Sequence, residues 1–204
     1  MGIPVLILGE SGSGKSTSIR NFEPGEVGIF NVASKPLPFR KKIPTLNAAT
    51  YQQILASLAN HKLKRYVIDD SQYLICFEFF AHAKEKGYDK FTDMALNFYN
   101  LIQFVIHRTP PDVIVYFLHH VDNTAADGRF RAKTAGKMLN EKLTVEGLFS
   151  IVLFCTTDGI THSFVTQSDG NTTAKSPMEM FPLTIDNDLK FVDTEIRKYY
   201  DMEV

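Results

Sequence analysis

Gly9-Glu10-Ser11-Gly12-Ser13-Gly14-Lys15-Ser16 fits the spacing G-x-x-x-x-G-K-[ST] at every position, and Thr17 follows it. Each residue type meets a need of a polyphosphate. Glycines let backbone N–H groups curl around phosphate oxygens, and a helix opening near Gly14 would turn its positive end toward them. The charge of Lys15 suits the β- and γ-phosphate oxygens, and the hydroxyl of Ser16 suits Mg²⁺. Gly9, Glu10, Ser11, Gly12, Ser13, Gly14, Lys15, Ser16 and Thr17 are therefore candidate contacts for a nucleoside triphosphate, with ATP and Mg²⁺ the expected pair. The competing reading, a chance glycine-lysine loop, fits poorly because the loop lies between an apolar run and a helix-like stretch.

A second carboxylate-bearing feature answers the first. Tyr66-Val67-Ile68-Asp69-Asp70 reads as an apolar strand ending in two carboxylates. Asp69 is the candidate to hold Mg²⁺ beside Ser16, and Asp70 the candidate base or water-orienter. Capping of the next helix by Asp70 or Ser71 is the bland alternative. His119 and His120 close another apolar run, where ligands of open α/β sheets gather. Neighbours on a strand face opposite ways, so one of the two points to the core; His119 is taken as the candidate γ-phosphate sensor.

Cations cluster in two places. Arg129, Arg131, Lys133, Lys137 and Lys142 have only Asp127 and Glu141 near them. They read either as a solvated loop or as cations for phosphate, on nucleic acid or on a neighbouring subunit's ATP, with Lys137 the candidate for the latter. Lys35, Arg40, Lys41 and Lys42 form the second cluster, with Phe39 available for base stacking.

Elements able to position these groups follow from periodicity. Residues 3–8, 27–32, 65–70, 112–118 and 151–156 are apolar, β-rich runs read as strands, and 160–167 reads as the return strand of a hairpin turned at Asp158-Gly159. Residues 17–21, 51–59, 71–86, 91–108 and 186–200 read as helices, the third and fourth divided at Gly87. Prolines at 36, 38 and 44 predict loop, and 124–142 predicts a mobile loop running into a short helix. Long crossovers imply parallel strands, so the expected fold is α/β: one domain over 1–204 with a mainly parallel sheet, flanking helices and a C-terminal antiparallel hairpin.

Bulk composition narrows the classes. With 204 residues, 44% hydrophobic and 22% charged, the chain suits one globular domain. A net charge of -1 gives no global attraction to nucleic acid or membrane, so any polyanion site must be local. The N-terminal apolar run is too short for a membrane span or signal sequence, which predicts a cytoplasmic protein without membrane association. Cys76 and Cys155 read as reduced, buried hydrophobes, and the six histidines show no metal-ligand spacing.

The phosphate loop, the run IDDSQYL, the stretch TAGKMLNEKLTVEGLFSIVLF and the ending SPMEMFPLTIDNDLKFVDTEIRKYY together resemble compact phage ATP-binding proteins with the RecA-like P-loop NTPase core, including Sak-type single-strand annealing proteins. The resemblance implies an extra strand between the loop strand and the Asp69 strand, ATP contacts between subunits of a homo-oligomer, and single-stranded DNA handling in recombination or replication. It would place the protein in the cytoplasm of an infected bacterial host. RecA-type ATPases carry a glutamate at the end of the second strand, where this chain has Ile29-Phe30-Asn31-Val32. Slow hydrolysis, or Asp70 in place of the glutamate, follows. A nucleotide kinase with 124–142 as its lid and a non-catalytic ATP-dependent assembly switch are the rival readings; no N-K-x-D motif supports a GTPase.

Overall fold

In the computed structural model, which describes residues 1–85, 89–123, 128–134 and 143–203, the apolar run near the N-terminus becomes the interior strand β1 (Ile3–Gly9). Leu6 and Leu8 enter one hydrophobic core and Val5 and Ile7 the other, as the two-residue strand period requires. A strand buried on both faces must be apolar throughout, which is why alternation is absent here.

Eight further strands follow: β2 (Gly28–Asn31), β3 (Thr45–Asn47), β4 (Arg65–Asp69), β5 (Ile114–Asp122), β6 (Arg131–Ala132), β7 (Ile151–Thr157), β8 (His162–Val165) and β9 (Thr184–Asp186). They form one sheet in the order β3-β2-β4-β5-β1-β7-β8-β9, with β6 paired to the far end of β5. From β3 to β7 every pairing is parallel, while β7-β8 and β8-β9 are antiparallel. The fold is thus mixed α/β with a mostly parallel sheet flanked by helices. Strand β5 lies between β1 and β4, the position that the resemblance implies for an inserted strand.

Helices α1 (Tyr51–Ala59), α2 (Gln72–Ala81) and α3 (Asp89–Arg108) cover one face, where Ile54, Ile75 and Phe98 pack on Leu6, Ile68 and Phe117. Helix α4 (Leu189–Tyr199) covers the other through Leu189, Val192 and Ile196. Each such fully buried aliphatic side chain contributes about 1.5–3 kcal/mol. Thr50 and Gln53 form a reciprocal capping box that starts α1, and Asp188 accepts from Lys190 and Phe191 N–H to start α4. Arg197, wholly buried, donates to Asp193 at 2.8 Å and to the carbonyls of Asp112 and Lys64, which fastens α4 to the entries of β5 and β4.

Several expectations change. The stretch after the phosphate loop is a 3-10 turn of six residues, Ser16–Asn21, where an α-helix was expected. Ser18 turns its hydroxyl back on the Lys15 carbonyl at 2.6 Å, and such side-chain competition disfavours regular helix. A turn this short carries little macrodipole. Strand β5 extends four residues beyond the expected end, because β6 pairs with Val121 and Asp122 and Lys133 N–H donates to the His120 carbonyl. The three-residue strands β3 and β9 fall where proline-rich or irregular sequence predicted none. The Gly87 break and most of 124–142 lie outside the described residues.

Candidate functional site

Residues 9–17 leave the end of β1 at the carboxyl edge of the sheet. Gly12 and Gly14 have φ of 83° and 101°, a region that L side chains rarely adopt. A Cβ at Gly9 would stand 2.5 Å from Ser13 Oγ, and one at Gly14 would stand 2.8 Å from the His162 ring, so both glycines are also demanded by space. Lys15 is only 6% exposed, and its amine donates to the Gly9 and Glu10 carbonyls at 2.8 and 2.7 Å. Burial pulls its pKa down, while the charges of Asp70 and Asp69 act the other way. Ser13 Oγ is buried inside the loop with no hydrogen-bond partner.

Three residues from distant parts of the chain, with Arg20 close behind the loop, brace it. Cys155 Sγ donates to the Ser13 carbonyl at 3.1 Å, and His162 Nδ1 reaches the same carbonyl at 2.8 Å. A carbonyl only accepts, so Nδ1 carries the hydrogen and His162 Nε2 is a bare lone pair when the ring is neutral. Asn187 Nδ2 donates to the Gly14 carbonyl at 3.2 Å and to Cys155 Sγ. Arg20 in turn donates to the side-chain and backbone oxygens of Asn187 and to the Thr17 carbonyl. Burial pushes the Cys155 thiol up to about 11, so it stays protonated and can donate. Sequence reading found Cys155 only as a hydrophobe and missed Arg20, and it missed His162 and Asn187 because nothing local ties them to loop carbonyls 149 and 173 residues away in the chain.

Across the loop stands β4. Ser16 donates to Asp69 Oδ1 at 2.7 Å, joining the hydroxyl and carboxylate that the sequence pairs. Burial pushes Asp69 up to about 6, against the Ser16 bond, which lowers it. Asp70 sits at φ 59°, turning the chain sharply out of the strand. Its carboxylate contacts Lys35 Nζ at 2.5 Å and His120 Nε2 at 3.1 Å. Burial raises the Asp70 pKa, but the bonds from His120 and Lys35 outweigh it and hold the group below its ordinary value. The ring of Tyr73 lies under Lys35 Nζ at 5.4 Å and edge-on to His120 at 5.7 Å, closing this cluster.

His119 does not face the site. It is fully buried beside Phe98, with Nε2 on the Lys133 carbonyl at 2.8 Å and Nδ1 on Ser71 Oγ at 2.9 Å. Because Lys133 O can only accept, Nε2 holds the hydrogen and Nδ1 accepts from Ser71. Desolvation drives its pKa down to about 4. The strand period thus brings His120, not His119, to the Asp70 carboxylate, so the residue expected at the site is in the core instead. Asp70 does not cap α2 either, since Ser71 is the residue before its first turn and makes no capping side-chain bond.

The basic clusters divide. Lys35 enters the site through Asp70, whereas Lys41 is held by Glu23 at 2.7 Å and the Phe22 carbonyl, and Phe39 is partly buried against the core. Arg131 belongs to β6, and Lys133 hydrogen-bonds through its backbone to both His119 and His120. Lys137 and Lys142 lie outside the described residues.

The residues present fit a bound nucleotide with a divalent cation. Ser13 Oγ is a buried hydroxyl awaiting an acceptor, Lys15 is a desolvated cation held only by carbonyls, and Asp69 is a desolvated carboxyl whose ionised form a cation would favour. Among the described residues no group of three or more His, Cys, Asp and Glu could hold a metal by itself, so a cation here would need oxygens from its ligand. No helix among them is long and apolar enough to cross a membrane. The sequence matches no protein-family model and no curated protein.

Proposed function

We propose that this chain is a Mg-ATP-binding ATPase of the phage type that it resembles, acting on single-stranded DNA in recombination or replication. The observation that carries the ATP half is the 2.7 Å hydrogen bond from Ser16 to Asp69, at the foot of a glycine loop whose lysine is buried. Ser16 and Asp69 would hold Mg²⁺, which when bound neutralises phosphate charge. Lys15 would exchange the Gly9 and Glu10 carbonyls for β- and γ-phosphate oxygens, and Ser13 Oγ would donate to the same chain of phosphates. Asp70 is the group to orient water or accept its proton, once Lys35 or His120 releases it.

The DNA half, a homo-oligomer in which Lys137 reaches a neighbour's γ-phosphate, and a place in the cytoplasm of an infected host rest on the resemblance. A second reading, an ATP-dependent assembly switch with little turnover, is favoured by the occupied carboxylate of Asp70. Calorimetric titration of Mg-ATP into the wild-type chain and into Lys15→Ala tests the reading. The variant should fold normally and bind at least about tenfold more weakly, the value of one charge-assisted contact. Equal binding by the two proteins would remove the proposed phosphate site.

A further inference from the structure

Beyond Thr17, on the side of the loop away from Asp69, the surface opens into a cavity of about 510 Å³ between the 3-10 turn and the β7-β8 hairpin. That volume lies within the roughly 300–1,000 Å³ of small-molecule sites. Thr17, Arg20, Asn21, Ile160, His162 and Asn187 contribute to its walls. Three of them are the same residues that grip the phosphate loop: His162 on the Ser13 carbonyl, Asn187 on the Gly14 carbonyl and Arg20 on the Thr17 carbonyl. A ligand anchored by its terminal phosphates at Lys15 and Ser16 therefore has a walled space next to the last residue of the loop.

We propose that this cavity takes the nucleoside half of the nucleotide, with a purine base between the guanidinium of Arg20 and the side chain of Ile160. The inference rests on the phosphate-site reading above. Arg20 is fixed through one nitrogen by Thr17 and Asn187, which leaves the flat guanidinium, a group that stacks on aromatic faces. Ile160 is 90% exposed, so nearly its whole aliphatic surface is open to a ligand. It is nonetheless held firmly, because Asp158 accepts from the N–H groups of both Ile160 and Thr161 at 2.9 and 2.7 Å. An apolar surface presented on a braced turn, in a cavity that a cation also lines, suits a flat ring better than a sugar or a peptide. His162 Nε2, left as a lone pair, suits a ribose hydroxyl or a base N–H. Stacking reads ring area, so purines gain more than pyrimidines.

Competition binding separates this site from the phosphate loop. Mg-ATP, Mg-UTP and Mg-tripolyphosphate, which has no nucleoside, are measured against wild type, Ile160→Ser and Arg20→Lys. Wild type should prefer ATP over both others, and each variant should weaken ATP by about fivefold to tenfold, with tripolyphosphate binding staying the same in Ile160→Ser, whose side chain takes no part in gripping the loop. Ile160→Ser alters an exposed side chain and leaves the fold untouched, so it keeps the test decisive if Arg20→Lys disturbs Asn187. Equal affinity for ATP and UTP in wild type, or ATP binding unchanged in Ile160→Ser, overturns the cavity assignment while leaving the loop intact. Failure of tripolyphosphate and ATP alike to bind wild type overturns the phosphate-site reading, and this inference with it.

Discussion

Lys35 Nζ lies 2.5 Å from Asp70 Oδ2, although one residue lies beyond the end of β2 and the other just past the end of β4. Because β2 and β4 are neighbours with Asn31 opposite Asp69, the two strand ends deliver a cation to the carboxylate that the proposed reading assigns to water. His120 holds the other oxygen from β5. A carboxylate engaged on both oxygens and held below its ordinary pKa is a weak base, so turnover on the proposed reading waits for one partner to move. Lys35→Ala should therefore raise basal ATPase about threefold or more, and Asp70→Asn should lower it about a hundredfold with Mg-ATP binding retained. Phosphate release under steady state checks both; a slower Lys35→Ala enzyme would instead make Lys35 part of the reacting site.

Asp69 and pH form the second prediction. Its pKa rises from an ordinary 3.8 to about 6 on folding, so the stability it contributes is whole below 3.8 and is lost as pH rises through 6. The ionised, buried carboxylate then costs the cation-free protein on the order of 3 kcal/mol at neutral pH. Asp69→Asn keeps an oxygen to accept from Ser16 and removes that cost. Urea melts without Mg²⁺ should show the variant more stable than wild type at pH 7 and equal to it near pH 3.8. Mg²⁺-dependent ATP binding should fall further than Mg²⁺-free binding.

The place of the glycine loop after β1 and of the paired carboxylates after β4 was legible because their signal is local: a spacing, and an apolar run ending in Asp69 and Asp70. The strands with continuous apolar sequence were legible for the same reason, since burial on both faces leaves no other choice. What escaped depends on pairing. The choice between His119 and His120 follows from which face of β5 packs on Phe98, and Lys35 belongs to the site only because β2 lies beside β4. His162 and Asn187 join the loop only through the antiparallel return of β8 and the turn into α4. Strands β3 and β9 are too short to show a period, and they exist because a neighbouring edge is available.

His119 supplies a third prediction, opposite in sign to the second. With a folded pKa of about 4 against an ordinary 6.5, its contribution is whole above 6.5 and is lost as pH falls through 4. His119→Phe should destabilise the protein by about 1–3 kcal/mol at pH 7, since the Lys133 carbonyl loses its donor and Ser71 Oγ keeps only the Leu118 carbonyl. The deficit should shrink toward pH 4, as the wild-type ring becomes costly to keep neutral. ATP affinity of the folded variant should not change, which denaturant melts and titrations together would establish. A large loss of ATP binding would return His119 to the site.

The last prediction joins DNA to the ATP site through β5. Lys133 lends its carbonyl to His119 and its N–H to the His120 carbonyl, and Arg131 pairs with Asp122 in the short β6 ladder. Anything that pulls on residues 129–133 therefore pulls on the strand end that holds Asp70. If Arg129, Arg131 and Lys133 meet the phosphates of single-stranded DNA, replacing all three with alanine should weaken binding and flatten its salt dependence by about 0.7 per lost contact in log-log slope. The hydrogen bond between His120 and Asp70 gives the second readout. DNA bound at this segment should alter the wild-type ATPase rate, and that response should vanish in the triple variant while Mg-ATP affinity stays constant. A triple variant with unchanged DNA affinity, salt slope and DNA response would place the nucleic acid elsewhere on the protein and leave residues 129–133 as a structural strap over β5.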